Sequence, residues 1–426
     1  MTLSWIQIIR LGLVQMALGA IVVLTTSTLN RLMIVELALP AVLPGALVAL
    51  HYGIQLSRPH WGFKSDAGGE RTRWIIGGMA ALALGGFGAA CAVVVLQSSF
   101  ALGLALSIVA YALIGLGVGA SGTSLLALLA TATAPRRRAA AATITWLMMI
   151  FGIAMTAGVV GAMLDPYSPA ILLQIVGTVV AGAFLMTLLA VWGIESSVQA
   201  IRQPQSGSFR DGLAEVWSDP SARNFTIFVF LSMSAYFMQD LILEPFGGLV
   251  FAMTPGETTS MSGMQNGGVF VGMLAVGTLA TGLRIGALRH WVIAGCLGSA
   301  AALAAITLVG SFHAASLLVP AIIALGFFNG MFAVAAIGSM MALAGQGRGH
   351  REGTRMGLWG AAQAVAAGFG GLTGALLVDI LRRLLTDTQA FGSVFVFEAA
   401  LFVIAALMAA KVMDKRPLPS TLVPGE

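Results

Sequence analysis

Gly62-Phe63-Lys64-Ser65-Asp66-Ala67-Gly68-Gly69-Glu70-Arg71-Thr72-Arg73 lies between two apolar runs, 37–57 and 74–96. Five of these twelve residues are charged, in a chain where only 9% of residues are Asp, Glu, Lys or Arg. The glycines permit a tight turn. Asp66 can accept hydrogen bonds from a helix N-terminus elsewhere in the chain. Arg71 and Arg73 can pair with acids or lipid phosphates. Each flanking run is about 20 residues long, enough to cross a bilayer as a helix. A short charged turn between two such runs is the water-facing loop of a protein that crosses the membrane repeatedly.

Working outward, the whole chain agrees. It has 426 residues, 58% of them apolar, and only 39 charged side chains. Soluble domains carry roughly 25% charged residues, so there are too few charges here for a solvated shell. Mean hydropathy is +0.93. A soluble enzyme, a nucleic-acid binder and a disulfide-stapled secreted domain are excluded. Gly at 53 positions suits close helix packing in lipid. Cys91 and Cys296 sit in apolar runs without metal-ligand spacing, so no metal site is expected.

Twelve candidate spans follow, at roughly 11–30, 37–57, 74–96, 101–130, 140–163, 170–193, 224–243, 264–283, 291–310, 316–344, 356–378 and 393–411. Backbone polar groups in lipid must be satisfied within each segment, so these are helices and the fold class is all-α. Alternating strands of about ten residues, as in a β-barrel, are not seen. With the N-terminus placed in the cytoplasm, 19 of the 22 basic residues fall on the cytoplasmic side; Arg31, Arg382 and Arg383 fall outside. The positive-inside rule then puts both termini in the cytoplasm, which also explains the basic balance without an acidic partner. Glu257 and Asp387 are expected outside, Arg136 and Arg348 inside.

The chain divides into a six-helix half (1–194), a cytoplasmic linker (195–223), a second six-helix half (224–411) and a tail (412–426). In the linker Phe209, Leu213, Val216 and Trp217 recur at helical spacing, predicting an amphipathic helix on the membrane surface. The halves repeat each other. Gly158-Val-Val-Gly161-Ala-Met-Leu-Asp165 closes span five, and Gly371-Leu-Thr-Gly374-Ala-Leu-Leu-Val-Asp379 closes span eleven. Trp146 and Trp359 sit near the other ends of those spans, and Gly115-xxx-Gly119 of span four matches Gly326-xxx-Gly330 of span ten.

The 62–73 loop resembles the G-x-x-x-D-x-x-G-x-R-x-[RK] loop of the major facilitator superfamily, at the position that superfamily places it. The resemblance implies a fold of twelve helices in two pseudo-repeated halves, with Gly62, Asp66, Gly69, Arg71 and Arg73 as the motif residues. The second-half counterpart, Gly282-Leu-Arg284-Ile-Gly-Ala-Leu-Arg289, lacks the acid. The proline-containing Gly-rich pattern of antiporters is absent from span five.

A narrower likeness rests on Leu29-Asn30-Arg31-Leu-Met-Ile-Val-Glu36-Leu-Ala-Leu-Pro40-Ala, on Phe225-Thr-Ile-Phe-Val-Phe-Leu-Ser232 and on Gln239-Asp240-Leu-Ile-Leu-Glu244-Pro245-Phe-Gly-Gly248. With Gly256-Glu257-Thr258-Thr259, Arg58-Pro59 and Ser65-Asp66, these resemble the PucC/LhaA family of photosynthetic bacteria, from Arg10 to about Lys411. Length and a short tail are most similar to the member encoded among bacteriochlorophyll-synthesis genes and labelled a synthase chain. The resemblance implies a factor in the photosynthetic inner membrane that delivers bacteriochlorophyll, held as cargo, to light-harvesting or reaction-centre polypeptides. Pigment-synthesis enzymes are further implied partners. The fold alone favours a secondary transporter of a small molecule, although fold does not decide function.

A catalytic synthase would need an Asp-rich pair to hold Mg²⁺ against a prenyl diphosphate. No span carries one, no phosphate loop is present and no Ser/His/Asp set stands out, so a non-enzyme is expected. Two sets of residues are candidate sites. Arg31 and Glu36 follow span one, while Asp240 and Glu244, four residues apart, end span seven. Ionisable groups at membrane depth are costly and paired, so an Arg31–Asp240/Glu244 latch between the halves is expected; the alternative is that these groups sit in headgroup water. His51 is the histidine inside a span, about 10 Å deep counting from Arg58. It reads either as an axial ligand to pigment magnesium or as a packing residue bonded to a carbonyl or to Tyr52.

Overall fold

The computed structural model describes residues 2–58, 71–134, 137–195, 217–218, 220–283, 285–345 and 352–412. Among them are twelve long helices and no strand. In chain order these are α1 (Trp5–Glu36), α2 (Val42–Ser57), α3 (Arg71–Leu96), α4 (Phe100–Ala132), α5 (Arg138–Met163) and α6 (Pro169–Val191). The second set is α7 (Pro220–Phe251), α8 (Pro255–Val276, continuing as a wider π-turn through Gly282), α9 (Leu288–Ser311), α10 (Ala315–Gly345), α11 (Glu352–Leu381) and α12 (Asp387–Val412). Ten are long and apolar enough to cross a membrane. The exceptions are α2 and α8, each the second helix of its set of six.

Helix pairing repeats with a six-helix offset. In the first set α1 packs on α5 and α6, α3 on α4 and α6, and α2 on α4; α7 to α12 make the same pairs. Two apolar cores result. One runs from Leu3 to Ile194 and reaches Leu241 across the divide; the other lies between Phe225 and Ala409. The repeated glycines hold equivalent contacts. A Cβ on Gly115 of α4 would come within 2.7 Å of the His51 carbonyl oxygen on α2, and Gly326 and Gly330 of α10 lie against the Gln265 and Val269 carbonyls of α8. Between the sets, α5 packs on α8 and α2 on α11, a two-fold exchange that forms a continuous seam.

Three helices run well past the apolar pattern through polar residues that the structure buries. Helix α1 continues through Arg31 to Glu36, helix α7 carries Asp240 and Glu244 well inside its length, and α8 starts at Pro255 rather than near 264. The reason is common to all three. Their polar ends face other helices rather than lipid, so hydropathy stops before the helix does. Asn30, Arg31, Gln239, Glu244, Thr258 and Thr259 are all buried. The start of α8 is built by a capping box: the Thr254 hydroxyl accepts from the Glu257 amide while the Glu257 carboxylate accepts from the Thr254 amide.

The expected surface helix over 209–217 falls, apart from Trp217, outside the described residues. So do Gly62, Asp66 and Gly69 of the motif loop, and Arg136 and Arg348. Arg71 and Arg73 open α3, and Arg71 is buried. The backbone amides of Arg71 and Thr72 both donate to the Glu195 carboxylate, each at 2.7 Å, so a residue four positions past the end of α6 caps α3.

Candidate functional site

The seam is where polar side chains of the two halves meet. Its far end, opposite the one where α1 begins, is closed by two carboxylates in equivalent positions. Asp379, near the end of α11, accepts from the amides of Ala41 at 2.9 Å and Val42 at 2.6 Å, at the start of α2. Asp165, just past α5, accepts from the Thr254 hydroxyl at 2.5 Å and the Gly256 amide at 3.1 Å, at the start of α8. Each acid therefore sits on the positive end of a helix from the other half, where unpaired amides and the macrodipole both favour negative charge.

Below the Asp165 contact the backbones touch. A Cβ on Gly161 would lie 2.5 Å from the Ser260 amide nitrogen and 2.7 Å from the Gly256 carbonyl oxygen. Only residues without side chains allow that approach.

A second group of bonds crosses from α1 to α7 and α8. Ser27 is hydrogen-bonded to Glu244, and its hydroxyl lies 2.9 Å from that of Ser262. Asn30 donates to the Leu241 carbonyl at 2.8 Å. Thr259 and Thr28 hydroxyls are 3.3 Å apart. Ser27 and Thr28 lie in a π-turn, Leu24–Thr28, and a second π-turn, Leu32–Glu36, follows Arg31. Such wide turns recur at functional sites, where they re-aim side chains.

Arg31 is brought into the seam, with a different partner from the expected one. It is buried and ion-paired with Glu36 of its own helix, and its other terminal nitrogen donates to the Met253 carbonyl of the opposite half at 2.8 Å. The link between halves at Arg31 therefore runs to a backbone carbonyl, and the ion pair expected with Asp240 or Glu244 is not formed. The two extra turns of α1 explain this: they carry Glu36 back over Arg31, so the guanidinium is neutralised within its own helix. Tyr167, in the α5–α6 turn, is near the same place. Half-burial, and then the Glu36 carboxylate, push its hydroxyl above the ordinary tyrosine range. Asp240 lines a small cavity in the seam with Thr26, Tyr52 and Phe237.

His51 is buried in α2, edge-on to Tyr52 with ring centroids 4.7 Å apart. Its Nε2 lies 2.8 Å from the Gln55 side-chain nitrogen. Arg58 donates to the Gln55 carbonyl oxygen. Arginine can only donate, so the Gln55 oxygen must face it and the amide nitrogen must face His51. The His51 Nε2 lone pair is then taken by Gln55. This packing partner is neither the carbonyl nor the Tyr52 that the sequence reading considered.

Sequence reasoning quoted Asp165 and Asp379 as a repeat signature without assigning them a role, and did not single out Ser27, Asn30, Ser262 or Glu195. Thr254-x-x-Glu257 was a legible capping pattern. The backbone amides that receive Asp165 and Asp379 have no sequence signature at all. Among the described residues no group of three or more His, Cys, Asp or Glu side chains could hold a metal.

Comparison with known proteins places this geometry. A family model described as PUCC protein matches residues 28–416. The chain is 65% identical over 417 residues to the "Bacteriochlorophyll synthase 44.5 kDa chain" of Rhodobacter capsulatus, covering 98% of this chain and 97% of the relative. It is 32% identical to the "Protein PucC" of Cereibacter sphaeroides, covering 92% and 89%. Among solved structures, a bacterial homologue of the human lysosomal transporter Spinster, described as inward-facing and unoccupied, superposes with a TM-score of 0.71 at 15% identity, covering 97% of this chain and 98% of that one. The nucleoside transporter NupG superposes with a TM-score of 0.68 at 13% identity, covering 96% and 100%. These neighbours share the fold, that of major facilitator transporters.

Proposed function

This chain belongs to the PUCC protein family, and on that premise we propose that it hands bacteriochlorophyll to light-harvesting or reaction-centre apoproteins during photosystem assembly. The observation that carries the reading is 65% identity, along nearly the full length of both chains, to a relative whose name ties it to bacteriochlorophyll. That relative's name includes "synthase", yet the role proposed is non-catalytic. The sequence offers no Asp pair for a magnesium diphosphate, and the fold is one that moves molecules by rocking two halves about a seam. The protein works in the bacterial inner membrane with both termini in the cytoplasm, as the basic-residue split favours. Pigment is cargo here, and pigment-synthesis enzymes are the donors. For His51 to ligate magnesium, Gln55 must first release Nε2. Equal pigment content and an unshifted long-wavelength band in His51→Leu would remove it as a ligand.

The test is a deletion strain beside the purified protein. The expected result is loss of assembled antenna complexes, with esterification of the pigment tail intact in isolated membranes, and bacteriochlorophyll co-purifying with the protein. Loss of esterification on deletion would overturn the non-catalytic reading. A second reading, secondary transport of a small solute, is favoured by the transporter neighbours; proton- or ion-driven uptake of a soluble compound into vesicles, without bound pigment, would support it.

A further inference from the structure

We propose that the seam holds a sodium ion between α1, α7 and α8, bound by Glu244, Asn30, Ser27 and Ser262. Ser27 is hydrogen-bonded there to Glu244 and to Ser262. Glu244 is 2% exposed and bonded through one oxygen to Ser27, while its other oxygen, Oε2, is buried without a donor. Ser27 and Ser262 present hydroxyls 2.9 Å apart. Asn30 lies one turn further along the same helix, anchored by its nitrogen to the Leu241 carbonyl, one turn before Glu244 on α7. That bond leaves the Asn30 carbonyl oxygen buried and unpartnered.

A bound cation would meet the charge of Glu244. A carboxylate inside a membrane protein is stable only when paired, neutralised or bound to a cation. The basic residue at this depth among the described residues of the seam is Arg31, and Glu36 already neutralises it. Glu244 therefore shares Arg31 with Glu36 and has no cationic side chain to itself, and Asp240 one turn away is a second acid of the seam.

The ligand set selects the ion. All the donors are oxygens, which excludes the metals that need nitrogen or sulfur. One carboxylate is too little charge for calcium, which is usually held by several. Hydroxyls already within 2.9 Å of each other leave room only for a small ion, which favours sodium over potassium. This inference does not depend on what the protein carries.

The experiment is thermal unfolding of the purified protein in lipid nanodiscs, in sodium, potassium or choline chloride at constant ionic strength. The expected result is a saturable rise in Tm of about 3 °C or more with sodium, absent with choline and weaker with potassium. Glu244→Gln should abolish it. Ser27→Ala and Asn30→Ala, which leave the carboxylate in place, should raise the sodium midpoint about tenfold, roughly 1.4 kcal/mol. An equal Tm in all three salts, an equal response to potassium, or a sodium response retained in these variants would overturn the proposal. Bound pigment, read by absorbance on the same samples, reports separately on the delivery role.

Discussion

The two contacts that close the far end of the seam occupy equivalent places and are held by different forces. At the start of α8, Asp165 receives one hydroxyl and one amide. That helix already has its own capping box from Thr254 and Glu257, and the backbones of α5 and α8 touch through Gly161 and Gly256. At the start of α2, Ala41 offers no side-chain cap. Asp379 supplies the cap from the other half, through two amide bonds. Where α2 crosses α11, a Cβ on Gly45 would meet the Ala375 side chain at 2.9 Å rather than a backbone. Duplication has kept the acid and its location. One contact has become a steric fit and the other an electrostatic cap.

Substitutions can break that contrast in order. Gly256→Leu should be the most damaging, since its side chain would overlap Asp165 and the Gly161 carbonyl; a loss of more than about 3 kcal/mol is expected, seen as poor recovery of folded protein by size-exclusion chromatography. Asp379→Ala strips α2 of its only described cap and leaves two amides orphaned, for about 2–3 kcal/mol. Asp165→Ala should cost only about 1 kcal/mol, because Thr254 and Glu257 still cap α8. Thermal unfolding of the two alanine variants side by side checks this ranking; equal losses would remove the distinction. The smallest effect is the coupling between Asp165→Ala and Thr254→Ala. A double-mutant cycle should return about 0.5–1 kcal/mol, while the same cycle between Asp379 and Thr254, at separate contacts, should return none.

Ten of the helices were legible because lipid demands long apolar segments, and the repeat was legible because glycine spacings survived with it. The ends of α1, α7 and α8 were not. A hydropathy pattern reports what faces lipid, whereas Arg31, Glu244 and Thr259 face protein. The same limit hid the pairing of Arg31. Reading Glu36 as a residue beyond the helix left Asp240 and Glu244 as the available acids. Once α1 runs on to Glu36, the nearer carboxylate lies in its own helix. Asp165 and Asp379 were visible as matching letters, but their partners are amide groups that every residue owns. The Glu195 cap joins two residues separated by 124 positions, a pairing that composition and local spacing do not encode.

The polarity of α2 and α8 bears on how the chain is made. Helix α8 carries Glu257, Gln265 and Asn266 within Pro255–Val276, and α2 is only sixteen residues long, Val42–Ser57. A translocon that releases each segment by its own affinity for lipid would hold back both. Each is flanked by strongly apolar helices, α1 and α3 in one case, α7 and α9 in the other. The expected route of insertion is therefore by helical hairpins rather than single spans, with α2 and α8 entering the bilayer only when a neighbour emerges from the ribosome to shield them. A nascent chain stalled after α8 should remain partly uninserted, and one stalled after α9 should be fully embedded.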